Sequence, residues 1–139
     1  AIDSERTVLA IAKKNAEANN VEINWSCQNI FRWKSNRKYD AIVSNPPYIA
    51  HEERQRLPVE VREHEPEPAL FADKDGLQYY PQLAKIAIEC LNPNGMIWVE
   101  IGGAHQSDYV KKFFQHAGLR CVEIYNDLTN TPRIVKAIK

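Results

Sequence analysis

The sequence predicts an α/β fold, built on a mostly parallel sheet whose last strand is antiparallel. Patterns typical of helices and strands alternate along the 139 residues, and such alternation favours parallel strands joined by helical crossovers. The last two strand patterns, 119–125 and 133–138, are joined by a short polar turn. Because a parallel pair needs a connection of about a dozen residues or more, we expect this last pair to be antiparallel.

Composition and charge restrict the function classes. The chain is 44% hydrophobic and 26% charged, which is typical of a soluble globular protein and not of a disordered segment. No run approaches the roughly 18–20 apolar residues of a membrane span. The 18 basic residues balance 18 acidic ones, so direct nucleic-acid binding through bulk charge is not expected. The cysteines and histidines lack metal-ligand spacing, so we expect no metal site.

The first part of the chain predicts a strand end, a helix and a second strand. Ile2 belongs to an apolar, strand-like start, and Ser4 is the expected N-cap of the helix. Apolar residues recur at helical spacing until residues 19–20 end the helix. They are Val8, Leu9, Ile11, Ala12 and Ala16. Residues 21–25 alternate between apolar and polar side chains, so we expect a strand there.

The middle of the chain contains a strand pattern followed by a long connection. The apolar run 41–43, between Asp40 and Ser44, predicts a buried strand. Residues 49–75 hold twice as many acidic as basic residues, together with three prolines. We interpret them as a long functional loop, because unstructured loops beyond about 12–15 residues are usually functional or disordered.

The remaining patterns predict two helices and the strand between them. Apolar residues at helical spacing predict a helix over 79–91, and a turn follows at residues 93–95. Residues 96–101 predict another buried strand. A helix is then expected over 107–117, ended by Gly118.

Four residues that directly follow the first buried strand carry the chemistry: Asn45, Pro46, Pro47 and Tyr48. Ligands of open α/β sheets bind at the carboxyl ends of the strands. There, the Asn45 side-chain carbonyl and the Pro46 main-chain carbonyl can both accept hydrogen bonds from a planar NH2 group, and the fixed φ of proline holds them in place. Tyr48 can stack on a flat substrate. A rigid turn with a buried aromatic is the alternative interpretation.

This motif and residues along the whole chain resemble class I S-adenosylmethionine-dependent methyltransferases of the N-P-P-Y type. Within them, the chain is most similar to the glutamine methyltransferases that modify peptide chain release factors. The matching residues are 1–3, Ala12, Asn15, Ala16, 40–48, Arg62, Glu65, Pro66, Ala69, Leu70, Asp75, Gly76, Leu91, Pro93, Gly95, 100–102, Gln106, Asp127, Leu128, Pro132 and Arg133. The resemblance implies a Rossmann-like class I methyltransferase fold, S-adenosylmethionine as cofactor, and a location in the cytoplasm or an organelle.

The resemblance also implies roles for residues outside the motif. Asp3 follows the second strand of the family and would accept hydrogen bonds from both ribose hydroxyls of the cofactor. Asn29 stands where the family often has Asp, and with Ile30 it would contact the adenine. Asn45 would face both the cofactor and the substrate amide. Apart from the resemblance, Glu100 is a candidate for supporting the site without contacting the substrate, and a buried structural carboxylate is the alternative interpretation.

The implied reaction is methylation of the Gly-Gly-Gln glutamine of a release factor, on its side-chain amide nitrogen, with the release factor as protein partner. A related enzyme methylates a ribosomal-protein glutamine instead, and the segment 127–133 favours the release-factor enzyme. Two further alternatives stay open. One is a nucleic-acid adenine methyltransferase that uses the same motif on a flipped base. The other is a non-catalytic remnant of the fold.

One part of the family pattern has no counterpart in the sequence. The five glycines are Gly76, Gly95, Gly102, Gly103 and Gly118, and none forms the acid-x-G-x-G cofactor loop or follows the family's first strand. We therefore expect residues 1–139 to be the C-terminal part of a methyltransferase catalytic domain, with 49–75 as its substrate-side loop. Because a missing strand leaves backbone groups unpaired, we expect these residues alone to be inactive and to need an N-terminal segment to complete the fold.

Overall fold

The computed structural model describes all residues, Ala1–Lys139, and divides them into two compact units, 1–35 and 36–139. The first unit contains β1 (Ile2–Asp3), α1 (Arg6–Ala18) and β2 (Ser26–Cys27). β1 and β2 are parallel, with Asp3 opposite Cys27. The carboxyl ends of both strands therefore lie at one edge of this small sheet.

Helix α1 is where the sequence predicts it, but its start differs. The N-cap is Glu5 and not Ser4, and no side chain caps the helix. Instead, Oδ1 of Asp3 accepts a 2.8 Å hydrogen bond from the Glu5 amide. The helix ends as predicted, with Asn19 as C-cap.

The strand predicted over 21–25 is wrong, because regular pairing is confined to Ser26 and Cys27. The amide of Val21 bonds to the carbonyl of Ala16 and so belongs to the end of α1. The residues of β1, Ile2 and Asp3, pair with Ser26 and Cys27 and not with residues 21–25. Alternation of side chains without a strand partner does not make a sheet.

The second unit contains a four-stranded sheet, two long helices and three short helical segments. In chain order these are β3 (Tyr39–Ser44), a 3-10 helix (His51–Arg56), α2 (Val59–His64), α3 (Glu67–Leu70), α4 (Tyr80–Cys90), β4 (Leu91–Glu100), α5 (Ala104–His116), β5 (Arg120–Asn126) and β6 (Pro132–Ile138). No helix of either unit is both long and apolar enough to span a bilayer.

The sheet has the order β3-β4-β6-β5. β3 and β4 are parallel, whereas β6 is antiparallel to both of its neighbours, β4 and β5. Three of the four strands therefore run in the same direction, and the last strand opposes them. This arrangement confirms the predicted mostly parallel sheet with an antiparallel terminal strand.

The core lies on one face of this sheet, beneath α4 and α5. Alternate residues of the two central strands, Ile97 and Val99 on β4 and Val135 and Ala137 on β6, have no exposed surface. They pack with Phe114 of α5 and with apolar residues of α4. Burial of these side chains, at about 25 cal/mol per Å² of apolar surface, provides the main driving force for folding of the unit.

Several elements of the second unit differ from the sequence prediction. β4 begins at Leu91, five residues before the predicted strand, and so includes residues 93–95, which the sequence predicted as a turn. β3 is an edge strand and not a buried one: it pairs only with β4, and Val43 is 80% exposed. Helix α5 begins at Ala104, three residues early, with Gly103 as N-cap. The hydroxyl of Ser107 bonds to the carbonyl of Ala104 inside the first turn instead of capping the helix.

Residues 49–75 form short helices and not an unstructured loop. Their two ends are joined by a bridge between Ile49 and Phe71, and the amide of Ala72 bonds to the carbonyl of Ile49. Phe71 and Ala72 are 7% and 2% exposed. These buried residues fix the segment beside the end of β3, although most of its other side chains lie at the surface.

Candidate active site

The four residues Asn45–Tyr48 lie where the sequence predicts them, directly beyond the carboxyl end of β3. Ser44 is opposite Val99, so Asn45 follows β3 at the level of Glu100, the last residue of β4. Asn45 is exposed and Pro46 is buried. Neither the Asn45 side chain nor the Pro46 carbonyl makes a hydrogen bond within the protein. Two acceptors are therefore left for an external donor.

Tyr48 is held at both ends. Its phenol donates a 2.9 Å hydrogen bond to Oε1 of Glu100, and its main-chain carbonyl accepts a 2.8 Å bond from Nε2 of Gln106. Burial, followed by the bond to the Glu100 carboxylate, raises the pKa of the Tyr48 phenol above its usual range. The phenol therefore stays protonated near neutral pH and acts as a donor that fixes the ring.

Tyr80 supports the same corner from α4. It is fully buried, and its phenol donates to the main-chain carbonyl of Glu100 at 3.0 Å. Burial raises the pKa of Tyr80 far above its usual value, so this phenol does not ionise in the physiological range. The last residue of β4 is thus held through its backbone by Tyr80, while its carboxylate holds Tyr48.

Gly76 approaches the motif closely. Its φ is +77°, and a Cβ at this position would lie 2.0 Å from the Tyr48 carbonyl oxygen and 2.5 Å from Nε2 of Gln106. Real Cβ atoms do not come so close to other heavy atoms. Glycine at position 76 therefore lets the Gln106 amide reach the Tyr48 carbonyl.

The turn between β5 and β6 reaches the same end of the sheet. Arg133 donates two hydrogen bonds. Its Nε donates to Oδ2 of Asp127 at 3.3 Å, and its Nη1 donates to the carbonyl of Ile101 at 3.1 Å. Hydrogen bonds from Thr129 and Thr131, together with Arg133, lower the pKa of Asp127 to about 2. The carboxylate is therefore ionised at neutral pH and organises a rigid turn beside the end of β4.

The segment that follows the motif packs on an aromatic residue. The His51 ring stacks on Phe71, with centroids 5.4 Å apart and an interplanar angle of 18°. The Arg54 guanidinium lies 5.6 Å from the same ring and pairs with Glu67. Arg62 contacts Gln55 and Glu63. These contacts give the segment a defined shape next to Tyr48.

The other predicted site residues lie in the first unit. Asp3 ends β1 and Asn29 follows β2, so both lie at the carboxyl edge of the two-stranded sheet. The bond to the Glu5 amide uses only Oδ1 of Asp3. Asn29 Oδ1 accepts from the Phe31 amide at 2.9 Å, which leaves its NH2 group as the available donor. Ile30 is half-buried in the next turn.

Sequence reasoning missed the organising roles of Gln106 and Arg133, which entered only as part of a family pattern. Both act through main-chain carbonyls: Gln106 on Tyr48 and Asp75, and Arg133 on Ile101. Main-chain groups leave no trace in sequence composition. Gln106 also lay outside the predicted helix, which began at residue 107, whereas α5 begins at Ala104; no pattern in the sequence therefore marked it as a buried polar side chain.

Comparison with known proteins places this geometry in a family context. A family model described as "Methyltransferase small domain" matches residues 1–61. A bifunctional methyltransferase of Rickettsia typhi is 38% identical over 138 residues, which cover 98% of this chain and 26% of that protein. A release factor glutamine methyltransferase of Caulobacter vibrioides is 37% identical over 142 residues, which cover 99% of this chain and 48% of that protein. The chain thus spans from about a quarter to about half the length of these curated relatives.

The fold has counterparts among solved structures. A crystal structure of a methyltransferase from Pyrococcus furiosus superposes with a TM-score of 0.73 and covers all of this chain and 61% of that chain. The two sequences are 18% identical, so the likeness concerns the fold. It confirms the Rossmann-like methyltransferase architecture predicted from the sequence.

Proposed function

The chain is similar to methyltransferases that include release factor glutamine methyltransferases, and on that premise we propose that it belongs to the class I methyltransferases and serves in methylation of a protein glutamine. The proposed target is the Gly-Gly-Gln glutamine of a peptide chain release factor, modified on its side-chain amide nitrogen. One observation carries the proposal: Asn45 and Pro46 offer two unpaired acceptors beside Tyr48, whose ring is fixed by Glu100.

The chemistry of an amide substrate explains why such acceptors are needed. The nitrogen of an amide is a poor nucleophile, because its lone pair is delocalised into the carbonyl. The Asn45 side-chain carbonyl and the Pro46 carbonyl would each accept one N–H of the target amide and turn the nitrogen toward the methyl donor. Both acceptors also stabilise the positive charge that develops on nitrogen during transfer. Orientation of this kind is worth up to about 7–11 kcal/mol of the barrier.

The residues of the first unit fit the nucleoside part of S-adenosylmethionine. The Asp3 carboxylate keeps Oδ2 outside its bond to Glu5 and can accept from ribose hydroxyls. The free NH2 of Asn29 can donate to an adenine ring nitrogen, and Ile30 offers apolar surface. S-adenosylmethionine supplies an electrophilic methyl group on a sulfonium. Asn45, in the second unit, would bind the substrate amide.

We also propose that residues 1–139 form the C-terminal part of a catalytic domain, with 49–75 on the substrate side. The free edge of β3 supports this proposal. β3 pairs on one side only, with β4, and Val43 at this edge is 80% exposed. An exposed strand edge with an apolar side chain is unfavourable in water, and native proteins usually cover it with another strand, a helix or a loop.

A labelling experiment tests the proposed reaction. The full-length protein is incubated with methyl-labelled S-adenosylmethionine and a purified release factor, in parallel with a factor that carries Ala in place of the Gly-Gly-Gln glutamine. We expect label in the first factor and none in the second. Asn45→Ala in the enzyme should lower the rate of labelling strongly and leave a small residual rate, because one of the two amide acceptors is lost and the Pro46 carbonyl remains.

Other outcomes of this experiment would identify a different substrate. Absence of label from both factors, with label in a ribosomal protein offered to the same enzyme, would move the activity to the ribosomal-protein glutamine. Label in a single-stranded oligonucleotide rich in adenine would indicate a nucleic-acid enzyme. No transfer to any of the three would contradict a catalytic role for the protein.

A further inference from the structure

Gln106 joins four segments of the second unit through one side chain. It lies in the first turn of α5 and is 1% exposed. Its Nε2 donates to the carbonyls of Tyr48 at 2.8 Å and Asp75 at 3.1 Å. Its Oε1 accepts from the Gly102 amide at 2.8 Å and lies 3.5 Å from the phenol oxygen of Tyr80, whose proton is donated to the Glu100 carbonyl. Every hydrogen-bonding group of this amide is therefore used within the protein.

We propose that Gln106 is a positioning residue for methyl transfer, which holds the main chain of Asn45–Tyr48 so that its two acceptors meet the target amide. The inference rests on the proposed function and deepens it. The Asn45 side chain and the Pro46 carbonyl, which are the two proposed acceptors, make no hydrogen bonds within the protein that would hold them in place. Their placement therefore depends on the neighbouring residue that is anchored, Tyr48.

The two anchors of Tyr48 have different consequences. The Glu100 carboxylate holds the phenol and so sets the direction of the ring. Gln106 holds the main-chain carbonyl and so sets the position of the backbone that carries the Pro46 acceptor. Since a misplacement of about 1 Å can cost about 100-fold in rate, loss of the Gln106 anchor should reduce turnover more than it reduces binding.

The first test compares two buried polar residues in the full-length protein. Gln106→Met keeps the side-chain volume and removes the amide. Ser107 is a residue that is 8% exposed, and Ser107→Ala removes a hydroxyl that bonds only within its own helix turn. We expect Gln106→Met to lower kcat by about 10- to 100-fold, with the KM for S-adenosylmethionine unchanged. Ser107→Ala should retain the kcat of the natural protein, even if its thermal unfolding midpoint falls.

A double-mutant cycle separates positioning from general destabilisation. Asn45→Ala removes one of the two acceptors for the target amide. Displacement of the segment Asn45–Tyr48 can then affect only the remaining acceptor, the Pro46 carbonyl. In that background Gln106→Met should lower the residual kcat by less than about 3-fold, which is a strongly non-additive result. Additive losses, or an unchanged kcat in the single variant, would overturn the proposal.

A structural readout keeps this inference distinguishable from the proposed function. If the natural protein methylates none of the substrates, the proposed function fails, and hydrogen exchange then tests positioning alone. The Ile49 amide, which directly follows Tyr48, donates a hydrogen bond to the Leu70 carbonyl. Its exchange rate therefore measures how firmly the segment Asn45–Tyr48 is held. Gln106→Met should speed its exchange by about 10-fold relative to Ser107→Ala, and equal exchange in both variants would contradict the proposal.

A second variant covers the case in which Gln106→Met does not fold. Gln106→Leu leaves a slightly smaller apolar side chain and removes the NH2 group that holds the Tyr48 carbonyl. The same loss of kcat and the same faster exchange at Ile49 are expected. Natural values of both in a folded Gln106→Leu protein would refute the role of the Gln106 amide.

Discussion

The phenol of Tyr48 donates a hydrogen bond of 2.9 Å to the carboxylate of Glu100, so the last residue of β4 fixes an aromatic ring that follows β3. The two strands are parallel neighbours, and their carboxyl ends meet at one edge of the sheet. A ring fixed in this way can form a wall of a substrate site. The bond also gives a direct way to test how much the fixed ring matters.

Tyr48→Phe should lower kcat by about 10-fold while the protein stays folded. The variant keeps the ring and loses only the bond to the carboxylate, and hydrogen bonds to charged groups contribute about 1.5–3 kcal/mol. Steady-state transfer of label to the release factor measures the effect. Tyr109→Phe is the matched control, because Tyr109 lies on α5 and is 55% exposed. Equal kcat values for the two variants would contradict a role for the fixed ring.

Gly76→Ala should abolish most activity, whereas Gly118→Ala should not. Both glycines have positive φ, so both substitutions carry a backbone strain of about 1 kcal/mol. Only the Cβ at position 76 would collide with the Tyr48 carbonyl, since at position 118 the nearest atom is Cδ1 of Ile88 at 3.9 Å. Unfolding curves and kcat are measured for both. A fully active Gly76→Ala protein would show that the loop tolerates displacement.

Asp3→Asn should weaken cofactor binding and leave α1 intact. The amide oxygen of Asn can still accept from the Glu5 amide, but the charge that favours ribose hydroxyls is lost. We expect the Kd for S-adenosylmethionine to rise by about 10- to 100-fold, in line with a lost charge-assisted hydrogen bond. Calorimetric titration of the full-length protein measures it, with Ser4→Ala as the neighbouring control. Identical Kd values would remove Asp3 from the proposed cofactor site.

Asp127 should make stability depend on pH in the acid range. Its pKa is about 2 in the folded protein and about 3.9 in an unfolded chain. The folded value is depressed, so the contribution of the carboxylate is complete above about pH 4 and is lost as the pH falls toward 2. Asp127→Asn should flatten the fall of Tm between pH 4 and pH 2, measured by circular dichroism.

A control locates this acid effect in the β5–β6 turn. Asp108 is an exposed carboxylate on α5, and Asp108→Asn should leave the acid part of the Tm curve parallel to that of the natural protein. If Asp127→Asn also gives a parallel curve, the hydrogen bonds of the turn do not stabilise the folded state.

The strongest sequence predictions came from long periodic segments. Helix α4 and the antiparallel pair β5–β6 were predicted to within a few residues, because periodicity and turn residues agreed there. The strand expected at 21–25 failed, since alternation does not specify which residues meet a partner strand. The expected burial of β3 failed for a similar reason, because the position of a strand in its sheet depends on distant residues.

The residues proposed to contact a ligand could be predicted from the sequence. The hydrogen bonds that hold those residues in place could not. Asn45–Tyr48 could be identified from residue types and from their position after a strand. The bonds that fix them join residues 52 and 58 positions apart, in Tyr48–Glu100 and Tyr48–Gln106. One of these bonds ends on a backbone oxygen. Sequence patterns do not specify which of many backbone oxygens a distant side chain will meet.

The central place of β6 sets the order in which this sheet can form on the ribosome. β6 (Pro132–Ile138) lies between β4 and β5, so β5 has no strand partner in the sheet until residues 132–138 have been translated. A nascent chain that ends before this point can pair β3 with β4 but holds β5 only through contacts with α5. Incorporation of β5 into the sheet must therefore wait for these seven residues, and until then the backbone groups of β5 have no strand partner.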